Sequence, residues 1–234
     1  MAKPLLVIGG NGLLGTAICK YAVNQGKKVL CLSRSTKRRY TDSWQSDVEY
    51  VQGDAMNPES YENIIPQVSG VVHTLGTLID SRTPLKIRDT YIGSYEQVNR
   101  DSALKVLSVV EKSRVPFVYI SAAKGWFFLP GYIETKREVE EYLKQNSDKF
   151  TYTILRPGVM YGQNEPRLKL LSSLVDLFYT KGKMLNSIGL TKDLSYFPAK
   201  TLDIDQVAKA AVESIYNPKL HNKTLEVADI ENLA

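Results

Sequence analysis

At 234 residues, with 43% hydrophobic and 24% charged side chains, the chain has the size and composition of one α/β domain with a full core. No apolar run approaches the ~20 residues a membrane span needs, and two histidines (His73, His221) with two unpaired-looking cysteines (Cys19, Cys31) exclude a disulfide framework and leave little for a metal centre, so no metal is expected. The net charge of +5 favours anionic ligands such as phosphates, or peripheral association with an anionic membrane surface, but the basic residues are scattered and no nucleic-acid partner is expected.

Leu5–Ile8 is an apolar run that stops on glycines, which predicts a buried strand. In "VIGGNGLLG", Gly9, Gly10, Gly12 and Gly15 stand between this strand and a helical pattern that ends at Gly26. Both G-x-G-x-x-G and G-x-x-G-x-x-G are present at that junction. Glycines permit a tight turn and close backbone approach to a pyrophosphate, and the helix N-terminus offers free N–H donors. Gly9, Gly10, Asn11, Gly12, Leu13, Leu14 and Gly15 are therefore candidate dinucleotide-binding residues.

The second strand, "KVLCLS", ends on Ser33 and Arg34, with no carboxylate before Asp42. An acidic residue there would hold the ribose 2′-hydroxyl of NAD; a guanidinium can instead pair with a 2′-phosphate. NADP(H) is thus expected over NAD(H), the alternative being that Arg34 and Lys37, Arg38 and Arg39 form a solvated loop. "VEYVQGD" predicts a third strand that ends at Asp54 and Ala55, where a carboxylate could accept from the adenine amino group. "GVVHTLG" predicts a fourth, after a short helix near Pro58–Ile65, and its Leu75 and Gly76 face the expected adenine ribose. His73 reads as a packed strand-end residue.

Ser94–Ser113 predicts a long amphipathic helix, "VPFVYIS" a fifth strand, Tyr132–Gln145 a charged helix and "FTYTILRPG" a sixth strand. Strands alternating with helices imply a doubly wound parallel sheet of the Rossmann type, order 3-2-1-4-5-6. Beyond Gly158 the pattern predicts helices at Leu168–Lys181 and Asp203–Tyr216, the latter capped by Asp203 or Asp205, and a last strand in "KTLEVA". The whole chain reads as a single domain in which residues from about 159 to 234 form a small helical lid.

Three Tyr-x-x-x-Lys spacings occur, at Tyr132–Lys136, Tyr179–Lys183 and Tyr196–Lys200. Only Tyr132 follows a sheet strand at the carboxyl edge, where such folds hold their ligands. Residues four apart share a helix face, so the Lys136 ammonium is expected to lower the Tyr132 phenol toward neutrality and make it a general acid or base. The apolar loop Trp126, Phe127, Phe128 and Leu129 beside it could wall a pocket, dock a partner or fill core.

In this order "GGNGLLG", "GD", "YIETK" and "ILRPG" resemble the short-chain dehydrogenase/reductase superfamily over nearly the whole chain. "YISAAKG", "YxxxKxxxE" (Tyr132, Lys136, Glu140) and "LRPGVMYG" resemble its atypical branch, of the type found in the NADPH-holding accessory subunit of respiratory complex I and in fungal coenzyme Q (ubiquinone) biosynthesis proteins. The resemblance implies that Tyr132 and Lys136 hold the nicotinamide ribose, that Arg156, Pro157 and Gly158 flank the nicotinamide, and that Asn99 supports the tyrosine–lysine pair. It makes Ser121 the only serine placed to assist Tyr132, either as a catalytic partner or as a structural residue, since alanines follow it. It also implies a mitochondrial setting with coenzyme Q biosynthesis proteins as partners; without it the expectation is cytoplasmic. Two functions remain open at this point, an NADP-dependent oxidoreductase for a hydrophobic carbonyl or quinone, and a non-catalytic NADPH-binding module of a multiprotein assembly; a third, an RNA- or membrane-surface-binding protein, is suggested only by the net charge.

Overall fold

Alternate residues of the first strand are apolar on both sides, so a sheet through it needs a cover on each face. The computed structural model, which describes residues 2–36, 42–77, 93–123, 130–162, 166–187 and 199–233, supplies both. β1 (Leu5–Ile8), β2 (Val29–Ser33), β3 (Val48–Gln52), β4 (Gly70–His73), β5 (Phe117–Ile120) and β6 (Tyr152–Leu155) run parallel in the expected order 3-2-1-4-5-6. β7 (Met160–Tyr161) and β8 (Leu202–Asp203) pair as a separate short ribbon. β9 (Lys223–Leu225) then joins the main sheet beside β6 as a seventh strand.

Leu5 and Val7 face α1 (Leu13–Asn24) and α5 (Ile204–Tyr216); Leu6 and Ile8 face α2 (Ser102–Ser113) and α3 (Pro130–Gln145). Each face carries its own buried apolar cluster, the arrangement that closes a doubly wound sheet. α5 lies so close to the sheet that a Cβ on Gly70 would stand 2.7 Å from Ile215. Its start is fixed by a capping box, in which the Asp203 carboxylate accepts from Asp205 N at 2.9 Å and Gln206 Oε1 accepts from Asp203 N at 3.1 Å.

The C-terminal third is built largely into the sheet layers. α5 and β9 belong to the sheet layers, and α4 (Pro166–Ser187) with the β7–β8 ribbon remains at the carboxyl edge. "KTLEVA" does not stay extended throughout: Glu226 N donates to Asp229 Oδ2 and Ile230 N to Glu226 O, which closes a helical turn and starts α6 (Val227–Leu233). The helix expected over Ser94–Ser113 opens instead with a π-helical turn at Glu96–Asp101. No described helix is long and apolar enough to cross a membrane.

Candidate functional site at the carboxyl edge of the sheet

Gly9 leaves β1 at φ +84°, a conformation that suits glycine, and its carbonyl accepts from Gly12 N at 2.9 Å to close the turn. α1 begins at once, with Gly12 as N-cap, no side-chain cap and no acidic residue in its first turn. Its first N–H groups and positive dipole end are thus left for an anion. A Cβ on Gly15 would run into the Gly9 carbonyl oxygen and stand 2.6 Å from Gly10 Cα. Helix and loop can approach this closely only with glycine there, and the resulting cradle fits a pyrophosphate.

A cleft of about 1280 Å³ opens above the strand ends where the sheet order reverses between β1 and β4. Of the residues expected to hold a dinucleotide, Gly9, Asn11, Gly12, Leu13, Leu14, Gly15, Ser33, Arg34, Asp54, Ala55, Leu75, Gly76, Lys136, Pro157 and Gly158 all line it. Gly10 stands behind the wall, packed so that a Cβ would meet the side chain of buried, free Cys31. Gly158 has a structural role as well, because a Cβ there would collide with the Lys200 carbonyl beside the β7–β8 ribbon. Asp54 uses one carboxylate oxygen to accept from Met56 N at 2.9 Å, which fixes the turn after β3. Lys37, Arg38, Arg39, Trp126, Phe127, Phe128, Leu129 and Tyr196 lie outside the described residues.

Tyr132 and Lys136 both line the cleft, from the first turns of α3. The expected electrostatic coupling between them is not what the structure shows. Burial, with the neighbouring Tyr95 phenol, pushes the Tyr132 hydroxyl up to about 12, opposed only by Arg137. The Lys136 ammonium turns instead to the strand ends, where it donates to Ile120 O at 2.8 Å and Leu75 O at 3.2 Å and lies 4.9 Å above the Tyr119 ring. Among the described residues no hydrogen bond joins Tyr132 to Lys136 or to Ser121, so Tyr132 keeps its proton at neutral pH.

Ser121 is buried, and its hydroxyl donates to Glu140 Oε1 at 2.5 Å and accepts from Arg137 Nη1 at 3.1 Å. Glu140 is the hub: it also pairs with Arg137 and Arg156, and Arg137 Nη2 donates to the carbonyls of Ala122 and Ala123. Burial alone would raise the Glu140 carboxyl, but the hydrogen bonds from Arg156 and Ser121, with both guanidinium charges, hold it below its usual range. Arg156 reaches on to Glu226 at 2.6 Å, so it joins the end of β6 to the end of β9. Arg137 was not singled out from the sequence; its only signal is the i,i+3 spacing to Glu140.

Asn99 lies behind the cleft in the π-helical turn. Its side chain accepts from Thr77 N at 2.8 Å, and its backbone carbonyl accepts from the Tyr119 hydroxyl at 2.8 Å. His73 is fully buried and bonded to Ser102 Oγ at 3.1 Å; burial and the Lys136 charge lower it to about 3, and it is a packed residue.

Burial lowers Lys136 to about 7, with Glu140 opposing. A dinucleotide brings phosphate charge into the cleft and favours the ammonium, so its binding takes up a proton. Affinity is then fully present below about pH 7 and declines as pH rises above it, by at most about tenfold per pH unit. His73 and Tyr132 titrate outside this window. Titrating NADH, which has no 2′-phosphate of its own to ionise near neutrality, from about pH 6 to about pH 9 should show this slope, and Lys136→Met should flatten it.

The parallel sheet, the glycine turn and the cleft at the reversal of strand order define a dinucleotide-binding protein of the Rossmann type. Residues 9–181 match the family model described as NAD(P)H-binding, and the chain belongs to that family. It is similar to MIOREX complex component 2 of Saccharomyces cerevisiae, 31% identical over 93% of this chain and 95% of that protein. It is also similar to the photosystem II assembly factor Ycf39 of Synechocystis, 26% identical over 88% of this chain and 60% of the other. Among solved structures, a short-chain dehydrogenase/reductase family oxidoreductase from Burkholderia thailandensis superposes with a TM-score of 0.69, at 16% identity over 97% of this chain and 91% of that one. The UDP-glucose 4-epimerase of Thermus thermophilus in complex with NAD gives 0.65, at 18% identity over 96% and 77%.

Proposed function

We propose that this protein holds NADP(H) as a bound ligand within a mitochondrial multiprotein assembly, and that it does so without turning the nucleotide over. The observation that carries this reading is the state of Ser121: its hydroxyl proton goes to Glu140 and is not available to Tyr132. Tyr132 and Lys136 then serve as ribose-facing donors rather than as an acid–base pair. Arg34, standing where an acidic residue would select NAD, supports NADP(H). The assembly reading is supported by similarity to a protein named as a complex component and to one named as an assembly factor. The mitochondrial setting rests on the resemblance to the complex I accessory subunit and the coenzyme Q proteins.

A reductase reading has one observation in its favour. Lys136 sits fully buried near its neutral point at the cleft wall, one helical turn from Tyr132. Bound NADPH would supply a hydride; this chain would orient it through Lys136 and offer the Tyr132 proton to a neutral carbonyl or quinone, the substrate type that the resemblance to coenzyme Q biosynthesis proteins suggests. Loading the protein with NADPH, offering quinones and aliphatic carbonyls, and following the nicotinamide absorbance separates the two. No steady oxidation is expected; sustained oxidation lost in Tyr132→Phe would replace the holding role with the reductase. In parallel, Arg34→Ala is expected to weaken NADPH by about 10- to 100-fold and leave NADH within about twofold.

A further inference from the structure

Arg34 is exposed, and a long exposed side chain on a free loop would be a poor selector, because ordering the loop would oppose binding. Residues 33–35 are not free. Gly53 N donates to Ser33 O at 3.0 Å, Gln52 Nε2 reaches Arg34 O at 3.4 Å, and Ser33 Oγ donates to Ser35 O at 2.5 Å. A further anchor comes from the pyrophosphate cradle itself. Asn11 Nδ2 donates to Ser33 Oγ at 2.9 Å and to Ser35 O at 2.6 Å, spanning from the glycine turn to the residues on both sides of Arg34.

We propose that Asn11 is a specificity-determining positioning residue: its amide ties the β2-end loop to the glycine turn and thereby aims Arg34 at the 2′-phosphate of a phosphorylated dinucleotide. This rests on the NADP(H) reading above. The backbone of position 11 belongs to the cradle shared by all dinucleotides, whereas its side chain bonds the segment that distinguishes them. Loss of the amide leaves the cradle in place and lets residues 33–35 move, a cost felt by the ligand that needs Arg34.

The test is a titration of wild type, Asn11→Ala and Arg34→Ala with both NADPH and NADH, each variant checked by thermal melting. Asn11→Ala is expected to weaken NADPH by about 5- to 20-fold and NADH by no more than about twofold, so that the preference shrinks toward that of Arg34→Ala. Asn11→Ser keeps a small polar group that cannot bridge both acceptors; it is the second variant if Asn11→Ala does not fold, with the same direction expected. An unchanged preference in the Asn11 variants, or equal losses for both nucleotides, overturns the role of Asn11 while Arg34→Ala still reports on the cofactor. A wild type that does not prefer NADPH overturns the cofactor reading and the proposal with it.

Discussion

Gly15→Ala is expected to lower affinity for NADPH and NADH alike by at least about 100-fold. The added methyl would point at backbone, not at a flexible side chain: it meets the Gly9 carbonyl oxygen and stands 2.6 Å from Gly10 Cα and 2.9 Å from the Gly9 carbonyl carbon. Neither partner can rotate away, so α1 and the turn must separate. That displaces the free N–H groups of the α1 N-terminus from the pyrophosphate they would serve. Overpacking of this kind also costs about 1–3 kcal/mol of stability. Calorimetric titration beside a thermal melt checks both effects, and undiminished binding would show that the nucleotide does not use this turn.

Glu140→Ala is expected to produce the largest loss of stability. The carboxylate is 2% exposed and joins α3, the end of β5 and the end of β6 through Ser121, Arg137 and Arg156. Removing one partner of a buried ion cluster leaves the others uncompensated, which costs about 3–5 kcal/mol when all are buried. Arg137 and Arg156 are 33% and 21% exposed, so water recovers part of this, and about 2–3 kcal/mol is expected. In a domain of this size that lowers the melting temperature by roughly 4–12 °C. An unchanged melt would mean that the cluster does not contribute to stability and is solvated.

What the sequence made legible is what depends on local backbone demands. Four glycines at a strand–helix junction admit few alternatives, and the order of apolar runs and helices dictated the sheet. Arg34 at the end of β2 and the shared face of Tyr132 and Lys136 were visible for the same reason. The direction of the Lys136 ammonium was not, because it is set by carbonyls of Leu75 and Ile120, 61 and 16 residues away. Nor was the fate of Ser121, decided by Glu140 at a distance of 19 residues. The π-helical turn at Glu96–Asp101 carries the periodicity of an ordinary helix, and β9 is three residues long, too short to reveal that it would extend the sheet.

The most direct test is a calorimetric titration of the full chain with NADPH and, separately, NADH. One saturable site per chain, with NADPH bound at least about tenfold more tightly, is the expected result. No saturable binding of either nucleotide would contradict it, leaving the glycine turn as a feature of the fold alone.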